Sequence, residues 1–256
     1  MSAGRLRRAL VDGHGWRDVE VVGRTASTNA DLAARARDGE AAGLVLLAEE
    51  QTAGRGRLDR RWEAPPRSSL LLSVLLRPAP PPSTWTLLPF VAGVAVAEAV
   101  RSVASLPAAL KWPNDVLVDD AKLGGILVER VDSAAVVGIG LNVSLRKSEL
   151  PVPTATSVAL AGGVADRELL AREVLRALGR RLAEWERADG APSAILPAYR
   201  EICATIGSMV TVQLPGGGQV NGSVSAVDDS GQLLVASDDG LTAVSAGDVV
   251  HVRPAG

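Results

Sequence analysis

Residues 50–62 constrain this chain most. They read Glu50-Gln51-Thr52-Ala53-Gly54-Arg55-Gly56-Arg57-Leu58-Asp59-Arg60-Arg61-Trp62. Arginines, two glycines and a tryptophan sit between two apolar runs, 44–48 and 70–76, and each run reads as a buried strand. A strand, a basic loop and a second strand place the loop at a sheet edge or end, where it can meet a ligand. Gly54 and Gly56 allow successive N–H groups to converge on an anion. Arg55 and Arg57 add planar forks suited to carboxylate or phosphate. Trp62 offers a flat face to a base or a cation. A solvated basic loop with a half-buried tryptophan accounts for this segment equally well, so the downstream segments must decide between the two.

Composition removes several function classes. At 256 residues and 47% hydrophobic content, the chain has material for one large core and a small second module. A net charge of -2 gives no basic field for nucleic acid. The lone Cys203 forbids an internal disulfide and fits a reducing cytoplasm. Behind Arg5, Arg7 and Arg8 the apolar stretch is too short for a signal-peptide core. No run approaches the roughly 20 apolar residues that span a bilayer. His14 and His251 stand at opposite ends, which argues against a histidine-rich metal site or a serine–histidine triad.

Along the chain, 18–24 reads as a strand. Ser27-Thr28-Asn29 then precedes a helix over 30–37, with Thr28 or Asn29 as the cap and a neighbouring hydroxyl left for a ligand. Residues 84–104 read as a mostly buried helix, with Pro89 in its first turn or kinking it. Short strands come next: one carrying Lys111 and Trp112, then 116–118, 122–129 and 135–143, an antiparallel meander with Pro113-Asn114-Asp115 as a turn. Lys111, Asp115 and Lys122 lie in or beside apolar strands. Edge protection explains any one of them, but not Gly124-Gly125 next to Lys122, which suggest close approach of a ligand or another backbone. Asn142, in an apolar strand, must find partners in protein or ligand. An amphipathic helix spans 166–189, capped by Asp166 and ended by Gly190. A short helix covers about 193–204. Residues 207–256 then turn rich in Gly, Val, Ser and Asp, the pattern of a small barrel. The expected fold is α+β: a mixed, largely antiparallel sheet packed with helices over 1–205, and a small β-barrel over 206–256.

The candidate site gathers arginines, lysines, one aspartate, glycine turns, and Ser27, Thr28, Gln51 and Asn142. Cations beside exposed N–H groups suit phosphates, and an aspartate near lysines suits a magnesium ion or a base. The chemistry is phosphate-based activation of a carboxylate, with the protein supplying position and charge.

These segments resemble the biotin protein ligases. The resemblance lies in Ser27-Thr28-Asn29, in residues 51–57 through Trp62, in Lys111-Trp112-Pro113-Asn114-Asp115, in residues 122–129 and in Gly138-Ile139-Gly140-Leu141-Asn142, in the family's order and at its spacing. It implies the class II synthetase-like catalytic fold, an SH3-like C-terminal barrel, and the ligase-only form without a DNA-binding domain. It also implies two steps. The biotin carboxylate attacks the α-phosphorus of ATP, with Mg2+, to give biotinyl-5′-AMP; a lysine of a biotin carboxyl carrier domain, such as that of acetyl-CoA carboxylase, then takes the biotin. Carried over, Ser27, Thr28, Asn29 and Gln51 would hold the biotin head, and Gly54, Gly124 and Gly125 would let backbone approach the ligand. Arg55 and Arg57 would hold carboxylate and phosphates, with Arg60 and Asn114 on the nucleotide. Lys122 would balance charge at the reacting centre. Trp62 would pack on adenine, Asn142 would bind the adenylate side, and Lys111 the phosphates. Asp115 would accept the attacking lysine's proton; an orienting or metal-linked role competes. The family usually has glycine where this chain has Asp59, so a carboxylate there is expected to alter loop closure and adenylate retention. The cysteine count and the charge point to a cytoplasmic enzyme without nucleic-acid or membrane partners; monomer and dimer stay open, with the monomer favoured.

Three other readings remain at this level. A lipoate or octanoate ligase shares the general layout and needs an apolar pocket without a ureido reader. A biotin sensor would bind without turnover. A nucleic-acid-binding barrel rests on the tail alone.

Overall fold

The structure, a computed structural model, describes residues 1–11, 13–58, 60–238 and 240–252. Asp59 and Asp239 lie outside the described residues.

Helix α1 (Ala3–Leu10) is capped by Ser2 and buries Leu6 and Leu10. β1 (Asp18–Val22) leads to α2 (Thr28–Arg37). Its cap is Ser27, whose hydroxyl accepts from Ala30 N, and not Thr28 or Asn29. The capping role falls one residue earlier than expected, which leaves Thr28 and Asn29 free for the pocket. β2 (Leu44–Ala48) is followed by a two-residue ladder, β3 (Gly54–Arg55) and β4 (Arg61–Trp62), pairing Gly54 with Trp62 and Arg55 with Arg61. The arginine segment is therefore a small hairpin arm. β5 (Ser69–Leu76) is buried at every position.

Residues 82–104 form one helical run of changing pitch: a 3-10 segment, then α3 (Leu88–Ala99) with Pro89 in its first turn, then a π segment. By length and composition this 23-residue run could cross a membrane, which corrects the expectation that no run is long enough. Its most apolar window is 72% buried inside the protein, as befits a helix apolar on all sides and enclosed by core.

The meander is β6 (Ala109–Lys111), β7 (Asp115–Val118), β8 (Ala121–Val131) and β9 (Ala134–Asn142). Then come α4 (Arg167–Arg187), capped by Asp166, and α5 (Leu196–Glu201). The C-terminal strands are β10 (Met209–Gln213), β11 (Gln219–Val227), β12 (Leu233–Ser237), β13 (Gly240–Val244) and β14 (Asp248–His251).

Seven strands make the main sheet in the order β1-β2-β5-β9-β8-β7-β6, antiparallel except for β1 beside β2. The two-residue period of β2 and β5 separates its faces. Val45, Leu47, Leu70, Leu72 and Val74 join α3 and α4 in the large core. Leu44, Leu46 and Leu75 pack under α2 with Leu32, Ala33 and Ala36. α2 covers only part of that second face, and the rest holds the site.

The C-terminal strands form a five-stranded antiparallel sheet, β13-β12-β11-β10-β14, matching the expected small β module. Its inward residues, Val210, Val212, Val224 and Val235 among them, continue the large core. Trp112 Nε1 donates to Gly231 O at 2.9 Å and Arg200 Nε to Val227 O at 2.7 Å, so polar bonds also hold the two parts together.

Candidate active site

The pocket lies on the α2 side of the main sheet. Ser73, Gly125, Leu127, Gly138 and Gly140 line its floor, the start of α2 lines one wall, and residues 55–58 and 60–62 arch above it. The floor follows from strand alternation. In β9, Ala135, Val137, Ile139 and Leu141 face the large core, which turns Gly138 and Gly140 toward the pocket. A Cβ on Gly138 would collide with Asn29 Oδ1, and one on Gly140 would stand 2.6 Å from Trp62 Cε2. These two glycines make room for Asn29 and for the indole.

At one end is a chain of oxygens. Thr28 Oγ1 lies 2.9 Å from Gln51 Oε1, Ser73 Oγ 2.7 Å from Thr28 Oγ1 and 2.5 Å from Asn29 Oδ1. The amide orientations are forced by neighbours of fixed polarity. Thr28 N donates to Gln51 Oε1 at 2.7 Å, while Asn29 Nδ2 donates to Glu129 Oε2 at 2.8 Å and to Leu127 O at 3.4 Å. Three oxygen–oxygen contacts therefore share two hydroxyl protons. The arrangement has two hydroxyl donors in the middle and an amide oxygen at each end. It complements a ligand whose carbonyl is flanked by two N–H groups.

Toward the other end the pocket is ionic. Among the described lining residues, Arg55, Arg57, Arg60, Arg61 and Lys122 face Asp115 and Asp248, an excess of cations that favours an anionic ligand. Lys122 Nζ pairs with Asp115 Oδ1 at 2.7 Å. Arg57 donates to Asn114 Oδ1 at 2.9 Å, and Asn114 Nδ2 donates to Ile126 O at 2.9 Å. Arg55 pairs with Glu129 at 3.0 Å. Arg60 grips Asp248 through both nitrogens, at 3.2 and 2.5 Å. Burial lowers the pKa of Arg57, opposed by Asp115 and Asp248, yet a guanidinium stays charged at neutral pH. Burial likewise lowers Lys111, which sits opposite Asp115 in the β6–β7 register. The hydrogen bond from Arg60 holds Asp248 below the usual carboxylate range, with Lys111 and Lys122 adding to it.

Trp62 lies across Gly140 and Gly125, and its Nε1 is buried without a hydrogen-bond partner among the described residues. No group of three His, Cys, Asp or Glu side chains that could hold a metal ion occurs among the described residues.

The structure thus brings Ser27, Thr28, Asn29, Gln51, Arg55, Arg57, Arg60, Trp62, Asn114, Asp115, Lys122 and Gly125 to one pocket. Gly54 backs onto Trp62 O instead, and Gly124 onto Gly140 O, where a Cβ would stand 2.7 Å away. Asn142 is also elsewhere: buried at the end of β9, its Nδ2 donates to Thr156 O at 3.0 Å and its Oδ1 accepts from Ser69 at 3.4 Å. Ser73, Glu129, Gly138, Gly140 and Asp248 carry site geometry that sequence reasoning left without a role. Ser73 had a signal, being the only hydroxyl in the apolar stretch Leu70-Leu71-Leu72-Ser73-Val74-Leu75-Leu76. Asp248 had none, since it arrives from the C-terminal sheet.

A mixed sheet with a polar pocket under an arginine arm, continued by a small β module, defines a carboxylate-activating ligase of the biotin and lipoate class. The Biotin/lipoate A/B protein ligase family matches residues 22–145, and the Biotin protein ligase C terminal domain matches residues 205–252. The chain is 45% identical to the biotin--[acetyl-CoA-carboxylase] ligase of Mycobacterium tuberculosis, over 97% of this chain and 94% of that protein. It is 33% identical to the bifunctional ligase/repressor BirA of Escherichia coli, over 83% of this chain and 67% of that protein. The biotin protein ligase from Aquifex aeolicus, solved in complex with biotin and ATP, superposes with a TM-score of 0.79 at 27% identity, covering 93% of this chain and 100% of that one. The chain belongs to the biotin protein ligases, a family of ligase enzymes.

Proposed function

We propose that this protein activates biotin with ATP and transfers it to a lysine of a biotin carboxyl carrier domain. What carries the choice of biotin within a family that also includes lipoate ligases is the proton-short oxygen chain of Gln51, Thr28, Ser73 and Asn29. A ureido ring supplies the complement: its carbonyl accepts from the two hydroxyls, and each N–H donates to an amide oxygen. A dithiolane ring offers neither and would leave these buried groups unpaired, which such sites reject strongly.

In the first step a biotin carboxylate oxygen forms a bond to the α-phosphorus of ATP, and the bond from that phosphorus to the bridging oxygen breaks, releasing pyrophosphate. Lys122 exchanges Asp115 for the reacting carboxylate and α-phosphate, where it balances developing charge. Arg55, Arg57 and Arg60 hold carboxylate and phosphates, Asn114 keeps Arg57 aimed, and Lys111 adds charge from β6. Trp62 packs on the adenine. Mg2+ arrives on the triphosphate as part of that substrate, since it prefers phosphate oxygens and water to an all-protein cage. In the second step the carrier lysine nitrogen bonds to the acyl carbon, the acyl–phosphate bond breaks, AMP departs, and Asp115 takes the amine proton. Asn142, at the end of β9, serves the adenylate side, and its Nδ2 also supports the segment around Thr156.

The Mycobacterium tuberculosis relative is named for acetyl-CoA carboxylase, and the carrier domain of such a carboxylase is the proposed acceptor. A division at residue 205, a monomeric cytoplasmic enzyme and the absence of nucleic-acid and membrane partners complete the reading; the slightly acidic net charge of -2 supports its nucleic-acid part.

The test is biotin-dependent exchange of pyrophosphate into ATP, run beside lipoate, with Ser73→Ala in parallel. Exchange with biotin alone, and a biotin KM raised roughly tenfold in Ser73→Ala, are expected. Exchange with lipoate alone would keep the activation chemistry and overturn the substrate.

A further inference from the structure

Glu129 divides one carboxylate between two tasks. Its Oε2 accepts from Asn29 Nδ2 at 2.8 Å, and its Oε1 pairs with Arg55 at 3.0 Å. The side chain is 22% exposed, against 52% for Arg55. It stands on β8 beneath the outer side of the arginine arm, where Gly54, Arg55 and Leu127 share a second cavity with it.

The first task decides a polarity. An asparagine amide has two ends of nearly equal shape, one a donor and one an acceptor. The end that faces Ser73 does not discriminate, because a hydroxyl both donates and accepts. Gly138 has no side chain to discriminate either. The Leu127 carbonyl is 3.4 Å away, a weak constraint. The Glu129 carboxylate, which only accepts, is the group that pulls Nδ2 outward and leaves Oδ1 toward Ser73 and the pocket. Without it the amide can rotate by half a turn and present a donor where the ligand also brings a donor. The second task ties the same carboxylate to β3, the first strand of the arginine arm.

We infer that Glu129 is a positioning residue: it sets the acceptor face of Asn29 that selects an N–H of the ligand, and it couples that face to the arm through Arg55. This deepens the biotin-ligase reading and rests on it. Glu129 itself need touch neither the ligand nor the reacting atoms.

The two tasks separate in two variants. Glu129→Ala removes both. Glu129→Gln keeps an acceptor oxygen for Asn29, because turning both amides over would set Asn29 Oδ1 against the Leu127 carbonyl, and its NH2 then faces Arg55 and cannot pair with it. In the full-length protein, biotin KM is read from pyrophosphate exchange, and adenylate retention from the loss of preformed biotinyl-5′-AMP after dilution. Glu129→Ala is expected to raise biotin KM roughly tenfold, the scale of one charge-assisted hydrogen bond, with the maximal exchange rate within about threefold of wild type. Glu129→Gln is expected to hold biotin KM within about twofold of wild type, the scale of a neutral bond kept in place. Both variants should lose adenylate several-fold faster. An unchanged biotin KM in Glu129→Ala, an equal rise in both variants, or unchanged adenylate retention in Glu129→Gln would each overturn the inference. Wild-type protein without biotin-dependent exchange would instead remove the ligase reading, and the inference with it.

Discussion

Lys122 and Asp115 sit on adjacent strands with Nζ 2.7 Å from Oδ1, although the β7–β8 register pairs Asp115 with Gly125 and Lys122 with Leu117. A register shift between Val116 and Leu117 brings the two charges together, in the manner of bulges that re-aim side chains near sites. Truncation of either partner therefore has distinct consequences. Lys122→Ala is expected to lower biotin-dependent pyrophosphate exchange by about 10²- to 10³-fold, the usual cost of losing one preorganised group at developing charge. Asp115→Asn, with the lysine intact, should spare exchange more than transfer to the carrier. Steady-state exchange and single-turnover carrier labelling distinguish the two.

Gly140 is where the indole of Trp62 meets the sheet. A methyl group there would lie 2.6 to 2.9 Å from three indole atoms, so Gly140→Ala must displace the ring. The expected result is a higher KM for ATP, by roughly tenfold if about 1.4 kcal/mol of stacking is lost, with biotin affinity little changed. Separate titrations of the two substrates check it. Equal losses for both would point to a general collapse of the floor.

Arg60 and Asp248 join the arm to β14. Asp248→Asn keeps the shape and removes the charge. It is expected to speed adenylate loss several-fold and to leave biotin binding near wild type, since the oxygen chain lies at the other end of the pocket. Because this pair is well exposed, a change in thermal stability of less than about 1 kcal/mol is expected.

Acid stability should carry the mark of Glu168, which accepts from Arg5 Nε and Ser2 N and so ties α1 to α4. The hydrogen bond from Arg5 is the main cause that lowers its pKa to about 2. A carboxyl whose folded pKa is depressed stabilises above its unfolded value and loses that contribution as pH falls through the folded value. Glu168→Gln should therefore unfold more readily than wild type at neutral pH, with the difference shrinking from about pH 4.5 down to about pH 2. Urea midpoints at several pH values read it directly.

The parts of this molecule that announce themselves in sequence are local. A continuous apolar run of strand length places β5 over residues 69–76, and Asp166 caps α4 as its position implies. Asn114, Asp115, Lys122 and Gly125 reach one pocket because strand neighbours in a meander are also neighbours in sequence. What sequence does not carry is register and reach. Ser73 becomes a site residue only because β5 lies beside β9 and under the start of α2. Asp248 comes from a sheet more than a hundred residues downstream of Asp115. Gly124 and Gly125 look alike in the chain, yet one answers to the neighbouring strand and the other to the pocket. Asn142, an amide in an apolar strand, finds its protein partners in Thr156 and Ser69, on segments that sequence spacing does not point to. The cap of α2 illustrates the same limit at short range: three consecutive polar residues are each competent, and Ser27 takes the role.

The enclosure of residues 82–104 has a consequence for how the chain is made. α3 packs on α4, which lies roughly 70 residues later and so reaches the ribosome exit roughly 3 to 14 s after it at common rates of synthesis. During that interval a long greasy helix is out of the tunnel before its partner exists. Whatever attends the nascent polypeptide must shelter this segment, and a pause or truncation before residue 167 would leave a product prone to clump.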